Sequence, residues 1–162
     1  MFKIGIFAII FNENKEVLLC HRRDSDLWNL PGGALEENES PWDGVIREIE
    51  EETGFKTKIK NLIGIYHKPQ KNELVLSFLC SITEGKITLN DEADQMSFFP
   101  YSKLPKNISQ KHKERIDDAL INSSEIILKS QCAPDYTDSI DLKKQGRLHS
   151  NNTSDPSAAY SS

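Results

Sequence analysis

The sequence predicts an α/β domain in which helices cover both faces of a mixed sheet. Runs rich in Ile, Val, Leu and Phe recur along the chain between turn-forming residues, as β-strands do. Two well-separated stretches have the apolar spacing of helices. Strands interspersed with helices are typical of layered α/β domains, and 162 residues are enough for one such domain with its own core.

The composition restricts the partners and the location. Twenty basic and 25 acidic residues give a net charge of -5, which argues against long nucleic acid as a partner, since that requires a basic surface. No apolar run has the length of a membrane span, and the apolar opening lacks the cleavage site of a signal peptide. The three cysteines lack metal-ligand spacing, which predicts a reducing cytoplasm and no zinc site. The expected partner is a small molecule. The sequence is compatible with a homodimer as well as with a monomer.

The predicted strands begin with a pair at 3–11 and 16–22. The turn-forming sequence NENK joins the two runs, and together they predict a β-hairpin. The loop that follows contains Pro31, Gly32 and Gly33, which allow another group to approach the backbone closely. Further strands are predicted at 56–66, 74–82 and 86–89, with a short one near MSFFP.

The first helix is predicted at 41–53 from the residues at its ends. Ser40 is a favourable N-cap, Pro41 suits the first helical position, and Asp43 completes a capping-box pattern. Gly54 can adopt the left-handed conformation that ends a helix. The segment therefore has both a start and a stop.

A second helix and a tail complete the predicted organisation. The helix is expected at about 110–122, because Ile116, Ala119 and Leu120 share one face at helical spacing. From about residue 130 onward, large apolar residues become rare. The sequence thus predicts a domain at 1–129 and a polar, flexible tail at 130–162.

The first helix has an acidic side. At ~100° per residue, Glu48, Glu51 and Glu52 project together, whereas Glu50 points elsewhere. Three adjacent carboxylates repel one another unless a cation neutralises them, and oxygen ligands suit Mg²⁺ or Mn²⁺. A solvated acidic face is the alternative interpretation, and it is the more common one for such a pattern alone.

The wider spacing favours a cation site. Gly33 is followed after five residues by Glu39, and after seven more by Arg47 and the rest of REIEEETGF. This pattern resembles the Nudix box, GX5EX7REUXEEXGU with U a large apolar residue, at every fixed position. The preceding WNLPGG and the later FFPYSKLP also resemble the flanking patterns of that family.

The resemblance implies a loop-helix-loop on an α/β/α sandwich that hydrolyses a nucleoside diphosphate linked to another moiety. It implies Mg²⁺, for which Mn²⁺ can substitute, and catalytic roles for Arg47, Glu48, Glu51 and Glu52. The same three glutamates would hold the metal together with the carbonyl of Gly32 or Gly33. Arg47 would hold the glutamate array in place, and Glu39 would support it.

Other candidates lie outside the box. Arg22 and Arg23 end the second predicted strand and could bind substrate phosphate, or they are a surface pair beside a turn. Glu92 precedes the last predicted strand, where family members often carry another acidic residue, and it could be a metal ligand or the general base. An ordinary loop acid is the alternative. His112 has no predicted role.

Three functions are compatible with this pattern. The first is metal-dependent hydrolysis of a pyrophosphate linkage in a nucleotide sugar such as ADP-ribose, or in a nucleoside triphosphate. The second is a catalytically inactive nucleotide sensor of the Nudix fold, which would be expected to have lost box glutamates. The third is RNA 5′-end pyrophosphate hydrolysis, which would need a basic track for the chain.

Overall fold

The computed structural model describes residues 1–91 and 93–132. Glu92 and residues 133–162, which hold most of the predicted tail, lie outside this part of the chain. The helices and strands are β1 (Lys3–Ile10), β2 (Val17–Arg22), β3 (Leu27–Asn29), β4 (Gly32–Ala34), α1 (Pro41–Thr53), β5 (Phe55–Lys68), β6 (Glu73–Gly85), β7 (Ala93–Phe99), α2 (Gln110–Leu120) and β8 (Ile127–Ser130).

The strands form two sheets. The larger sheet has the order β4-β1-β6-β5-β8, and the smaller one has the order β3-β2-β7. In the larger sheet β1 pairs in parallel with β6 and β5 with β8, whereas β4 and β1, and β6 and β5, are antiparallel. The predicted mixed sheet between helices is therefore confirmed, although its strands divide into two sheets.

Two apolar cores lie on the two sides of this arrangement. The first packs the inner stripe of α1, with Val45 and Ile49 fully buried, against both sheets. The second packs α2 through Ile116 against residues from the opposite faces of the same sheets. Each sheet thus contributes to both cores because alternate strand residues point to opposite faces. The result is an α/β/α sandwich with α1 and α2 on opposite sides.

The ends of α1 confirm the predicted N-cap and C-cap. The Ser40 hydroxyl accepts a hydrogen bond from the Asp43 N–H at 3.1 Å and donates to the Asp43 carboxylate at 2.6 Å. Gly54 has φ 77° and donates its N–H to the Glu50 carbonyl at 2.9 Å. An N-cap such as Ser40 contributes about 1 kcal/mol to the stability of its helix. The helix that carries the glutamates is therefore fixed at both ends by its own sequence.

The predicted hairpin of the first two strands is wrong. The turn itself forms, since the Asn12 N–H donates to the Glu16 carbonyl at 3.0 Å and Phe11 bridges Val17. Beyond the turn, however, β1 lies between β4 and β6, and β2 lies between β3 and β7. Because both sides of each strand already have a neighbour, the two strands cannot pair with each other along their length.

The predicted strand at 86–89 is also wrong. Ile87 and Leu89 are exposed, and the Thr88 N–H donates to the Thr53 carbonyl at the end of α1, at 2.9 Å. The segment is a loop that caps the helix instead of a strand. None of the helices in the described ranges has the length and apolar character needed to cross a membrane.

Gln131, two residues after the predicted domain end at residue 129, makes several side-chain contacts. Gln131 is buried, and its side-chain oxygen accepts hydrogen bonds from the Arg115 guanidinium at 2.8 and 3.2 Å. Its amide nitrogen donates to the Lys111 carbonyl at 3.0 Å and to Glu114 at 2.6 Å. Gln131 therefore packs against α2.

Candidate active site

The segment Leu30 to Gly33, called the diglycine loop here, leads from β3 into the first residues of β4 and lies against β1. The Ala8 N–H donates to the Pro31 carbonyl at 2.9 Å, and Gly32 is the antiparallel partner of Phe7. Gly32 has φ 146°, and a Cβ atom there would lie 2.2 Å from the Ile6 carbonyl oxygen. Only glycine fits such a position, because both the conformation and the backbone contact exclude a side chain.

Arg47 is the centre of the carboxylate cluster on α1. Its Nε and Nη2 atoms donate to the two oxygens of Glu39 at 2.6 and 3.0 Å, a two-pronged arrangement typical of strong Arg–carboxylate pairs. Its Nη1 atom donates to Glu48 at 3.1 Å and to Glu51 at 3.0 Å. The hydrogen bond from Arg47 holds the pKa of Glu39 below its usual value, and the same bond raises the pKa of Arg47.

Glu48 and Glu52 lie against the two glycines, Gly32 and Gly33. The Gly32 N–H donates to Glu52 Oε2 at 3.1 Å, and a Cβ atom on Gly33 would fall 2.7 Å from Glu48 Oε1. Glu52 also lies near Cys20 on β2, whose thiol pKa is raised first by burial and then by the Glu52 charge. Two glutamates of the box therefore contact the two glycines of this segment.

The box carboxylates have different partners. Glu48 and Glu51 share Arg47, whereas Glu52 bonds to the Gly32 N–H. Within the described ranges, no three His, Cys, Asp or Glu side chains are close enough together to hold a metal ion by themselves. A guanidinium or an N–H group beside a carboxylate lowers its repulsion with the neighbouring carboxylates.

The residues present nevertheless fit a Mg²⁺ or Mn²⁺ ion. All candidate donors are carboxylate or carbonyl oxygens, which these hard cations prefer. Gly33 has no side chain, and a Cβ atom there would lie 2.7 Å from Glu48 Oε1, so any side chain at this position would displace the Glu48 carboxylate. Glu50 is exposed on another side of the helix and does not belong to this group.

The predicted phosphate-binding arginines lie at the end of β2. Arg22 is paired with Asp24 through two hydrogen bonds of 2.9 and 2.6 Å, and both side chains are exposed. Arg23 is also exposed, and its charge adds slightly to the lowering of the Asp94 pKa, which the hydrogen bond to His21 dominates. Glu92, the remaining candidate, lies outside the described residues.

His21 is not part of any predicted site, and it joins three segments near these arginines. Its Nδ1 atom is 2.6 Å from Asp94 Oδ1, and its Nε2 atom is 2.8 Å from Asp26 Oδ1. These hydrogen bonds, led by the one to Asp94, raise the pKa of His21. No sequence signal pointed to this contact, because its members come from β2, the following loop and β7.

His112 is the second residue that sequence reasoning missed. It is buried on α2, and its Nδ1 atom accepts a hydrogen bond of 2.9 Å from the Leu30 N–H. Its spacing of four residues from Ile116 places it on the buried face of α2. That spacing was readable from the sequence and could have identified His112 as a core residue.

Comparison with known proteins identifies the family. Residues 1–119 match the family model described as the NUDIX domain. Together with the sandwich fold and the glutamate-bearing helix, this match shows that the chain belongs to the Nudix family. It is a Nudix hydrolase.

The chain is similar in sequence or structure to individual members of this family. It is 34% identical over 119 residues to the Bacillus subtilis (strain 168) protein named "Putative 8-oxo-dGTP diphosphatase", covering 73% of this chain and 80% of that one. It is 32% identical over 122 residues to the ADP-ribose pyrophosphatase of Methanocaldococcus jannaschii, covering 71% of each. The crystal structure of a NUDIX hydrolase from Nitrosomonas europaea superimposes with a TM-score of 0.73 at 22% identity, covering 81% of this chain and 79% of that one, which supports the fold.

Proposed function

We propose that this protein hydrolyses a pyrophosphate linkage in a small nucleoside diphosphate derivative with the help of Mg²⁺, for which Mn²⁺ can substitute. The observation that carries the proposal is the meeting of Glu48 and Glu52 with the diglycine loop, beside an arginine that organises the neighbouring carboxylates. An inactive sensor would not need a complete set of charged residues packed at mutual electrostatic cost.

Glu48, Glu51 and Glu52 would hold the cation, together with the carbonyl of Gly32 or Gly33. When bound, such an ion neutralises charge on the phosphates and lowers the pKa of a coordinated water. The carboxylates are pre-positioned for this because they are fixed on one rigid helix.

The remaining residues would fix and complete the site. Arg47 is anchored by its two-pronged bond to Glu39, so it stays in place beside Glu48 and Glu51, which both accept from its Nη1 atom. Glu51, whose side chain is 59% exposed, and Glu92 are the two candidates for accepting a proton from the attacking water. Arg22 and Arg23 would bind substrate phosphate at the rim.

The substrate proposal follows the relatives. The names of the Bacillus subtilis and Methanocaldococcus jannaschii proteins refer to an oxidised nucleoside triphosphate and to ADP-ribose. We propose that the substrate belongs to one of these two classes, nucleotide sugars or nucleoside triphosphates. The family box acts on the shared pyrophosphate, and the loops around Arg22, Arg23 and Asp26 would distinguish the attached groups.

A panel assay tests the proposed function. The purified protein is incubated with ADP-ribose, other nucleotide sugars and ordinary and oxidised nucleoside triphosphates, and the released phosphates are measured with Mg²⁺, with Mn²⁺ and with a chelator. We expect cleavage of at least one class with either ion and no cleavage with the chelator. Because the apolar cores do not include the candidate metal residues, the circular dichroism spectrum should survive chelation. No cleavage of any compound by the folded, metal-loaded protein would contradict the proposal.

A further inference from the structure

A buried hydrogen bond connects α2 to the loop of the candidate active site. The Leu30 N–H donates to His112 Nδ1 at 2.9 Å, and His112 is only 7% exposed. Since the backbone N–H is the donor, Nδ1 carries no proton and the imidazole is the neutral tautomer protonated at Nε2. Leu30 lies two residues before Gly32, so this bond fixes the chain directly before the diglycine.

The same imidazole also contacts the strand on which the loop lies. The His112 ring packs edge-on against the Phe7 ring, with ring centroids 4.7 Å apart. Phe7 is the strand partner of Gly32, and a Cβ atom on Gly32 would lie 2.7 Å from Phe7 Cα. His112 therefore contacts both the segment that leads into the loop and the strand residue on which the loop lies.

From the loop, contacts continue to the glutamates. The Gly32 N–H bonds to Glu52 at 3.1 Å, and Gly33 leaves the space in which the Glu48 carboxylate lies. A shift of the loop relative to β1 would therefore move one donor away from Glu52 and close the space at Glu48. The path from α2 to these carboxylates consists entirely of buried or partly buried contacts.

The surroundings keep His112 in its accepting form. Arg115 and Lys111 of α2, Lys68 of β5 and Arg22 of β2 all add positive charge around the ring. Burial and then this charge hold the pKa of His112 well below its usual value. A positively charged imidazole would lose the acceptor at Nδ1, so the cationic neighbours favour the state that binds Leu30.

We propose that His112 is a positioning residue for hydrolysis: it holds the segment Leu30 to Gly33 at the distance from α1 that cation binding by Glu48 and Glu52 requires. This inference rests on the proposed function, since it assigns His112 to the same site. An apolar side chain would fill the volume under the loop, but it would leave the Leu30 N–H buried without an acceptor.

A matched pair of variants tests this role. In H112N, the side-chain oxygen can occupy the position of Nδ1 and accept from Leu30, whereas H112L has a similar shape and no acceptor. We measure thermal stability, Mn²⁺ affinity by electron paramagnetic resonance without substrate, and kcat and KM on the best compound of the panel. We expect H112L to lose ~10-fold or more in Mn²⁺ affinity and kcat, as outer residues of metal sites do, with KM within ~3-fold. H112N should stay within ~3-fold of the wild type in Mn²⁺ affinity, kcat and KM.

The outcomes separate this role from a purely structural one and from the proposed function. Equal Mn²⁺ affinity and kcat in folded H112L and H112N would overturn the positioning role. A wild type that binds Mn²⁺ but cleaves nothing would contradict the proposed function, and the Mn²⁺ affinities of the variants would still decide the role of His112. A wild type that binds no Mn²⁺ would overturn both.

If H112L does not fold, hydrogen exchange of the wild type decides. Saturating Mg²⁺ should slow exchange of the Leu30 amide by ~3-fold or more, because the ion would tighten the loop that this amide anchors. The Trp28 amide, which bonds to the Asn107 carbonyl at 3.1 Å, is the internal reference and should not change. An unchanged Leu30 amide would overturn the proposal.

Discussion

Glu52 and Glu50 are neighbours in sequence but differ in surroundings, which makes them a matched pair for substitution. Glu52 accepts from the Gly32 N–H, whereas Glu50 is exposed on another side of α1. We expect Glu52→Gln to lower kcat/KM by ~10²-fold or more, about 2.7 kcal/mol of transition-state stabilisation, because one charge that would hold the cation is lost.

The stability of the pair is equally informative. Glu52→Gln retains an oxygen for the Gly32 N–H and removes like-charge repulsion, so its unfolding free energy should be unchanged or slightly raised. Glu50→Gln should leave both kcat/KM and stability close to wild type. Equal losses of activity at the two positions, or none at Glu52, would restore the interpretation of a solvated acidic face.

Gly32 and Gly33 exclude a side chain for different reasons, and alanine at each should have different effects. At Gly32 the φ of 146° and the contact with the Ile6 carbonyl make Gly32→Ala destabilising by roughly 3 kcal/mol or more. At Gly33 the contact is with the end of the Glu48 side chain, which can move. Gly33→Ala should therefore fold with a loss of ~1 kcal/mol or less and lose most of its activity.

Urea unfolding and kcat/KM of the two alanine variants check this contrast. Similar destabilisation at both positions would mean that Gly33 is held by the backbone as tightly as Gly32. An active, stable Gly33→Ala variant would mean that the space beside Glu48 has no part in the reaction.

At the residue scale, the sequence predicts the relative positions of side chains on one helix. It does not predict contacts between side chains that are far apart along the chain. The positions of Glu48, Glu51, Glu52 and Glu50 follow from rotation along one helix. The contact of His21 with Asp94 joins residues that are 73 positions apart, and no local pattern encodes it. Residues missed in this way act through the tertiary structure.

Gln131 follows β8 directly and bonds to Arg115 and Lys111 of α2, and two shortened chains test these contacts at the scale of an element. A chain ending at Lys129 leaves the buried Arg115 guanidinium without the Gln131 oxygen, and its unfolding free energy should fall by ~1–3 kcal/mol. A chain ending at Cys132 keeps the contact. We expect its unfolding free energy to equal that of the full chain and its turnover to stay within a few-fold of it.

Thermal unfolding and turnover of both shortened chains against the full chain provide the measurement. If the chain ending at Lys129 is as stable as the one ending at Cys132, the Gln131 contacts contribute nothing measurable. If activity is lost in the folded chain ending at Cys132, residues 133–162 form part of the site.

The elements were predictable where a local rule determines them. Ser40, Pro41 and Gly54 determine α1 through capping, and its observed bounds agree with the prediction. The turn at Asn12 to Glu16 was also readable, but a turn does not determine which sheet each strand joins. The short strands β3 and β4 were missed because their pairing depends on β2 and β1, and their sequences have no strand pattern of their own.

Two histidines should make the stability of the whole molecule depend on pH in opposite ways. The pKa of His21 is raised by Asp94 and Asp26, so its contribution is present below the unfolded value of 6.5 and is lost as the pH rises through the folded pKa. The pKa of His112 is lowered, so its contribution is present above 6.5 and is lost as the pH falls below it.

Unfolding free energies of wild type, His21→Gln and His112→Asn at pH 5.5 and pH 8 separate the two contributions. The deficit of His21→Gln relative to wild type should be larger at pH 5.5 than at pH 8. The deficit of His112→Asn should be larger at pH 8 than at pH 5.5. The same direction in both variants would contradict the assigned charge states.

The parallel pairing of β1 with β6 also has a consequence for the order in which the molecule folds. Ile4 pairs with Leu74, a long separation along the chain, whereas β5 and β6 are joined by a short turn. Local contacts form with little loss of chain entropy, so we expect the β5–β6 hairpin in the folding nucleus and β1, with the diglycine loop on it, to join afterwards. A cation would then bind only after the rate-limiting barrier. Mg²⁺ should slow unfolding and leave the refolding rate nearly unchanged, and a refolding rate that rises with Mg²⁺ in stopped-flow experiments would show that the loop forms early.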